Sequence, residues 1–185
     1  MGLWAQIKED YATHRRDWTL PGFRAVAVHR FGNWRMGVRP KFLRAPFSIL
    51  YRMMFRHVRN HYGIELPYEV KLGRRVKFEH QGAVVIHGNS VIGDDCIIRQ
   101  GVTLGARNVE NHDKAPILGR GVSVGAGAKI LGSITLGDGV LVGANAVVLK
   151  DVPAGCTVVG IPAKIVTSKD KAASPQLKLA EAEYA

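Results

Sequence analysis

Residues 118–148 read LGRGVSVGAGAKILGSITLGDGVLVGANAVV, and an aliphatic side chain returns at every sixth position: Leu118, Val124, Ile130, Leu136, Val142 and Val148. Glycine often follows it, as at Gly119, Gly125, Gly137 and Gly143. Four places on stands a small or branched residue: Val122, Ala128, Ile134, Val140, Ala146, Val152. A helix buries one side chain every ~3.6 residues and a strand every second one, so neither fits as a single element. A short strand followed by a glycine corner does fit, with three such faces closing one prism-like coil. Each coil buries its aliphatics only against its neighbours. Sandwich strands recur at roughly 8–12 residues, a longer period than this one.

The same period runs upstream through Ile86, Ile92, Ile98 and Leu104, and before them Leu66, Leu72 and Phe78. It slips twice. Eight residues separate Phe78 from Ile86, and fourteen separate Leu104 from Leu118, which leaves a loop over 105–116. A regular scaffold that breaks phase commonly does so for function. The repeat therefore occupies 64–166, after a prefix over 1–63 and before a polar tail over 167–185.

The prefix lacks the period. Residues 3–16 and 22–36 read as helices, Pro40 and Pro46 as breaks, and 47–62 as a third helix with apolar Phe47, Leu50, Tyr51, Met54, Phe55 and Val58. The chain of 185 residues carries a net charge of +11. Residues 1–63 hold twelve basic and three acidic side chains, a local surplus of nine. Such a surplus suits a solvated surface, an anionic substrate or peripheral docking on a membrane. No nucleic-acid motif accompanies it. Cys96 and Cys156 cannot build a disulfide framework, which points to a reducing compartment. No apolar run has the ~20 residues of a membrane span, and the N-terminus lacks a signal-peptide layout, so a cytoplasmic location is expected. No Cys/His spacing suggests a metal site.

The segment Phe78-Glu79-His80-Gln81-Gly82-Ala83-Val84-Val85-Ile86, with its two extra residues, resembles the signature of serine acetyltransferases. Pro21-Gly22-Phe23-Arg24 through Asn33-Trp34 resembles the helix that precedes their coil. Residues 121–132 and 160–166 resemble their late coils. The resemblance implies a mainly β chain: a left-handed parallel β-helix with a short N-terminal α-helical segment, acting as an acetyl-CoA-dependent O-acetyltransferase. It implies His80 as the general base and Glu65 as the carboxylate that orients it. Glu79 would contact the acceptor, as would Asp10 if a small deletion is allowed. Where the family carries Arg-His, this chain has Lys114-Ala115. Lysine offers a point charge in place of a bidentate fork, and alanine offers neither charge nor proton. His112 is the candidate replacement. For the cofactor, the resemblance implies Gly105, Ala106, Gly125, Ala126 and Ala144 along the pantetheine arm, and Lys129 and Lys164 at the phosphates, in a groove between subunits of a homotrimer, with a hexamer as a further assembly.

The short prefix and Ala115 favour a sugar acceptor in polysaccharide assembly, with L-serine as the alternative. A third reading is a non-catalytic or metal-binding scaffold in which His80, His87 and His112 converge.

Overall fold

A computed structural model describes residues 2–107 and 114–166. Three helices lead: α1 (Leu3–Thr13), α2 (Pro21–Met36) and α3 (Lys41–His57), followed by a π-helical turn over Val58–Tyr62. Short strands then wind coil upon coil. The first coil holds β1 (Ile64–Glu65), β2 (Lys71–Leu72) and β3 (Lys77–Glu79), and the second β4 (Val84–Ile86), β5 (Val91–Ile92) and β6 (Ile97–Arg99). The third holds β7 (Thr103–Gly105), β8 (Ile117–Leu118) and β9 (Ser123–Val124), and the fourth β10 (Lys129–Leu131), β11 (Thr135–Leu136) and β12 (Leu141–Val142). β13 (Val147–Val148), β14 (Thr157–Val159) and β15 (Lys164–Ile165) close the chain.

Strands three apart pair in parallel, and β14 follows β12 because only an isolated bridge, Val152 to Leu136, stands between β13 and β14; the faces are β1-β4-β7-β10-β13, β2-β5-β8-β11 and β3-β6-β9-β12-β14. The result is a left-handed parallel β-helix. The sixth-position aliphatics fill its axis: Ile86, Ile92, Ile98, Leu104, Leu118, Ile130 and Leu136 are all buried. The positions four places on line the same core, Val76, Val102, Val122, Ala128, Val140 and Ala146 among them. Cys96 is one of these, and its thiol donates to the Gly119 carbonyl at 3.1 Å. Burial pushes that thiol up to about 11, so it acts as a packed group rather than a nucleophile. The last coil is finished by a reversal. β15 pairs antiparallel with β14. The Val147 amide donates to the Gly160 carbonyl, while the Val147 carbonyl accepts from Ala163.

The prefix departs from its sequence reading in two places. α1 stops at Thr13, because Arg15 and Arg16 both turn left-handed. α3 begins at Lys41 and runs through Pro46, where a break was expected. That proline removes only the bond to the Phe42 carbonyl, and Phe42 is itself exposed, where a free carbonyl costs little.

Side chains of α2 seat the prefix on the first coil. Arg30 pairs with Asp10 at 2.9 Å and donates to the carbonyls of Leu72 and Gly73. The Arg35 guanidinium lies 4.4 Å from the ring centres of both Tyr51 and Tyr68. His29 donates through Nε2 to the Val70 carbonyl at 2.9 Å. These contacts bind α1, α2, α3 and the first coil into one body.

Candidate active site

The coil has three edges, and one collects Glu79, His80, Gly125, Ala126 and Ala144. On the edge between β3 and β4, Gly101 donates to the Gly82 carbonyl, Gly127 to Gln100 and Asn145 to Ala126, each at 2.8 Å. His80 and Gln81 stand at the first coil of this edge, Ala126 at the third and Ala144 at the fourth. A rung spacing of ~4.8 Å sets Ala126 roughly 10 Å and Ala144 roughly 14 Å along the edge from the first rung. A β-carbon on Gly125 would stand 2.6 Å from the Ala144 amide nitrogen, so this glycine lets neighbouring corners close together.

The eight-residue gap is absorbed here. His80 adopts φ 64°, left-handed backbone that a non-glycine residue seldom takes, and Ala83 adopts φ 52°. His80 and Gln81 are both exposed. The two added residues thus lift an imidazole out of the rung pattern. Strain of this kind concentrates at functional sites.

A hollow of about 370 Å³ opens in front of it, lined by His14, Arg15, Leu20, Pro21, Gly22, Lys77, Phe78, Glu79, His80 and Gln81. The α1–α2 connection forms one wall and β3 the other. His14 fixes that wall: its Nδ1 donates to the Asp10 carbonyl at 2.7 Å, and its Nε2 accepts from the Phe78 amide at 3.4 Å. One neutral tautomer satisfies both, and burial lowers the His14 pKa to match. Glu79 receives Lys77 at 2.7 Å and Arg99 at 3.2 Å. Burial pushes the Glu79 carboxyl up, but the Lys77 hydrogen bond and the charges of Lys77, Arg99 and His80 outweigh it and hold the carboxyl below its ordinary value.

Glu65 lies in the ladder beside the edge, opposite Val85. Among the described residues no hydrogen bond or ion pair joins it to His80. His80 belongs to the corner that leads into that ladder. Asp10 is also placed differently. Its carboxylate is buried and held by Arg30, and Asp10 does not line this hollow. Lys129 donates to the Gly101 carbonyl and to Thr103 Oγ1, so its ammonium is engaged within the coil. Gly105 lies at the opposite end of β7 from the His80 edge, in register with Leu131, with Ala106 next to it. Lys164 is exposed at the end of the stack. Lys114 is exposed and Ala115 is buried, and His112 lies outside the described residues. His87 occupies a different edge from His80, where its Nδ1 accepts from the Asn89 amide at 3.2 Å. Among the described residues no three metal-binding side chains cluster. His14, Arg15 and Lys77 were not singled out from sequence. Arg99 was legible in principle, since it stands one coil above Glu79 in register.

Residues 115–150 match the family model "Bacterial transferase hexapeptide (six repeats)". Fold and repeat together define a hexapeptide-repeat transferase. A serine acetyltransferase of Helicobacter pylori is 40% identical over 169 residues, spanning 89% of this chain and 94% of that protein. One from Synechococcus elongatus is 41% identical over 150 residues, 79% of this chain and 57% of that protein. A solved serine acetyltransferase in complex with CoA superposes with TM-score 0.72 at 30% identity, covering 89% of this chain and 69% of that one. The chain belongs to the serine acetyltransferase family, although it spans little more than half the length of the cyanobacterial relative.

Proposed function

We propose that this protein is an acetyl-CoA-dependent O-acetyltransferase whose acceptor is L-serine. The observation that carries the reading is the single hollow that sets the His80 imidazole beside the Glu79 carboxylate in a chain of this family. Arg15 lines the same hollow and supplies a cation for an acceptor carboxylate, which answers the loss of the family arginine at Lys114. Glu79 meets the acceptor ammonium. His80 takes the hydroxyl proton as the oxygen attacks the thioester carbonyl. The new carbon–oxygen bond forms, the carbon–sulfur bond breaks, and the proton passes to the CoA thiolate. Glu65 orients the imidazole once substrates are bound, since catalytic hydrogen bonds commonly tighten only then. The cofactor lies along the edge from His80 past Ala126 to Ala144, in a groove shared between chains of a homotrimer.

The sequence alone puts a sugar acceptor first, partly because the prefix is short. That argument loses its force: the Helicobacter pylori relative, matched over 94% of its length, is named a serine acetyltransferase. Ala115 remains the one observation that favours another hydroxyl acceptor. Free CoA is measured as it forms from acetyl-CoA with L-serine or with a panel of sugars. Turnover with serine well above that with any sugar supports the proposal. The reverse order establishes the sugar reading.

A further inference from the structure

We propose that the outer face of α3 docks the protein on an anionic lipid surface. Helical periodicity places Phe42, Ile49 and Met53 on one stripe, at i, i+7 and i+11. They are 73%, 58% and 64% exposed. Leu43 and Leu50 border this stripe on one side and are exposed too. Lys41, Arg52 and Arg56 border it on the other. The apolar surface continues into a hollow of about 520 Å³ between α2 and α3, whose lining includes Trp18, Leu50 and Met53 together with Arg24 and His57.

Charge selects the occupant. α3 has no acidic residue. The three acids of the prefix are placed elsewhere: Glu9 on Arg74 and Arg75, Asp10 on Arg30, and Asp17 on Thr19. Two copies meeting through this face would set cation against cation. A phosphate-bearing membrane surface presents the opposite charge and accepts the apolar stripe between headgroups. No helix among the described residues is long and apolar enough to cross a membrane, so α3 would lie on the surface rather than span it.

The test is sedimentation of the full chain with vesicles of phosphatidylcholine alone, or of phosphatidylcholine with roughly one-third phosphatidylglycerol. The expected result is partitioning onto the anionic vesicles only, weakened by added salt. It should fall at least ~10-fold both in Ile49→Ser/Met53→Ser and in Arg52→Gln/Arg56→Gln. Acetyl transfer in free solution stays at the parent level in both variants, which confirms that they fold. Equal binding to neutral vesicles, no binding, or parental binding by either variant overturns the proposal. So does a native mass that falls in Ile49→Ser/Met53→Ser, because a second copy would then be what covers the face.

Discussion

The carbonyl oxygen of Phe78 lies 2.0 Å from the point where a β-carbon on Gly22 would be built. The start of α2 therefore rests directly on the backbone of β3, two residues before His80. No side chain of any size fits between them.

This contact predicts the outcome of Gly22→Ala. In a helix interior alanine is favoured over glycine by about 1 kcal/mol. Here the added methyl must push α2 off the coil, and overpacking of this kind costs about 1–3 kcal/mol. Denaturant unfolding should show a net loss of stability, and the acceptor KM should rise as the wall of the hollow moves. A gain in stability would show that α2 is not seated on Phe78.

The assignment of His80 is best tested with His80→Asn. Asparagine adopts left-handed backbone more readily than alanine, so the variant removes the base with little strain. Turnover should drop by at least ~10²-fold while the KM for acetyl-CoA stays near the parental value. Retention of most activity would place the base elsewhere.

Arg15→Ala should raise the KM for serine at least ~10-fold and leave the KM for acetyl-CoA unchanged. Glu65→Gln should instead lower turnover and leave the KM for serine near the parental value, since a group that orients the base acts on the chemical step. Equal effects of the two changes on both constants would dissolve the separate roles given to them.

His29 makes stability depend on pH. Burial, with the charge of Arg30 adding to it, lowers its pKa from 6.5 to about 4. Between those values the unfolded chain binds a proton that the folded chain refuses. Stability is therefore complete above about pH 6.5 and falls as pH drops toward 4, by roughly 3 kcal/mol in all. Denaturation midpoints measured from pH 7 to pH 4 in the parent and in His29→Gln should converge on acidification. Parallel curves would refute the assignment.

Asp10→Asn separates structure from substrate binding. It leaves Arg30 buried without its counter-charge, for which a loss of about 3–5 kcal/mol is expected. A variant of normal stability with a raised serine KM would restore Asp10 to the acceptor site.

Much of this molecule is written in a period of six. The aliphatics that fill the axis can be counted off directly, because each rung repeats one steric environment. His80 and Glu79 are legible for the same reason: the rhythm fails beside them. Arg15 and His14 are not, since their place depends on how the α1–α2 connection packs against β3, across more than sixty residues of chain. Lys129 looks available for a phosphate in sequence, yet the register that sets it opposite Thr103 also gives its ammonium two oxygens inside the coil. Pro46 misleads because a helix tolerates proline where the orphaned carbonyl belongs to an exposed residue.

The reversal at Gly160–Ile165 has a consequence for the whole stack. Parallel rungs form an open-ended template, and an uncovered last rung would recruit the matching strand of another molecule and grow into a fibre. Here Val147 has both backbone groups occupied by the chain's own next turn, and β14 is closed by a strand running the wrong way to propagate the coil. At the opposite end His29 and Arg30 of α2 occupy the carbonyls of Val70, Leu72 and Gly73 on the first rung. The coil is a polymer of fixed length, terminated at both ends by its own sequence.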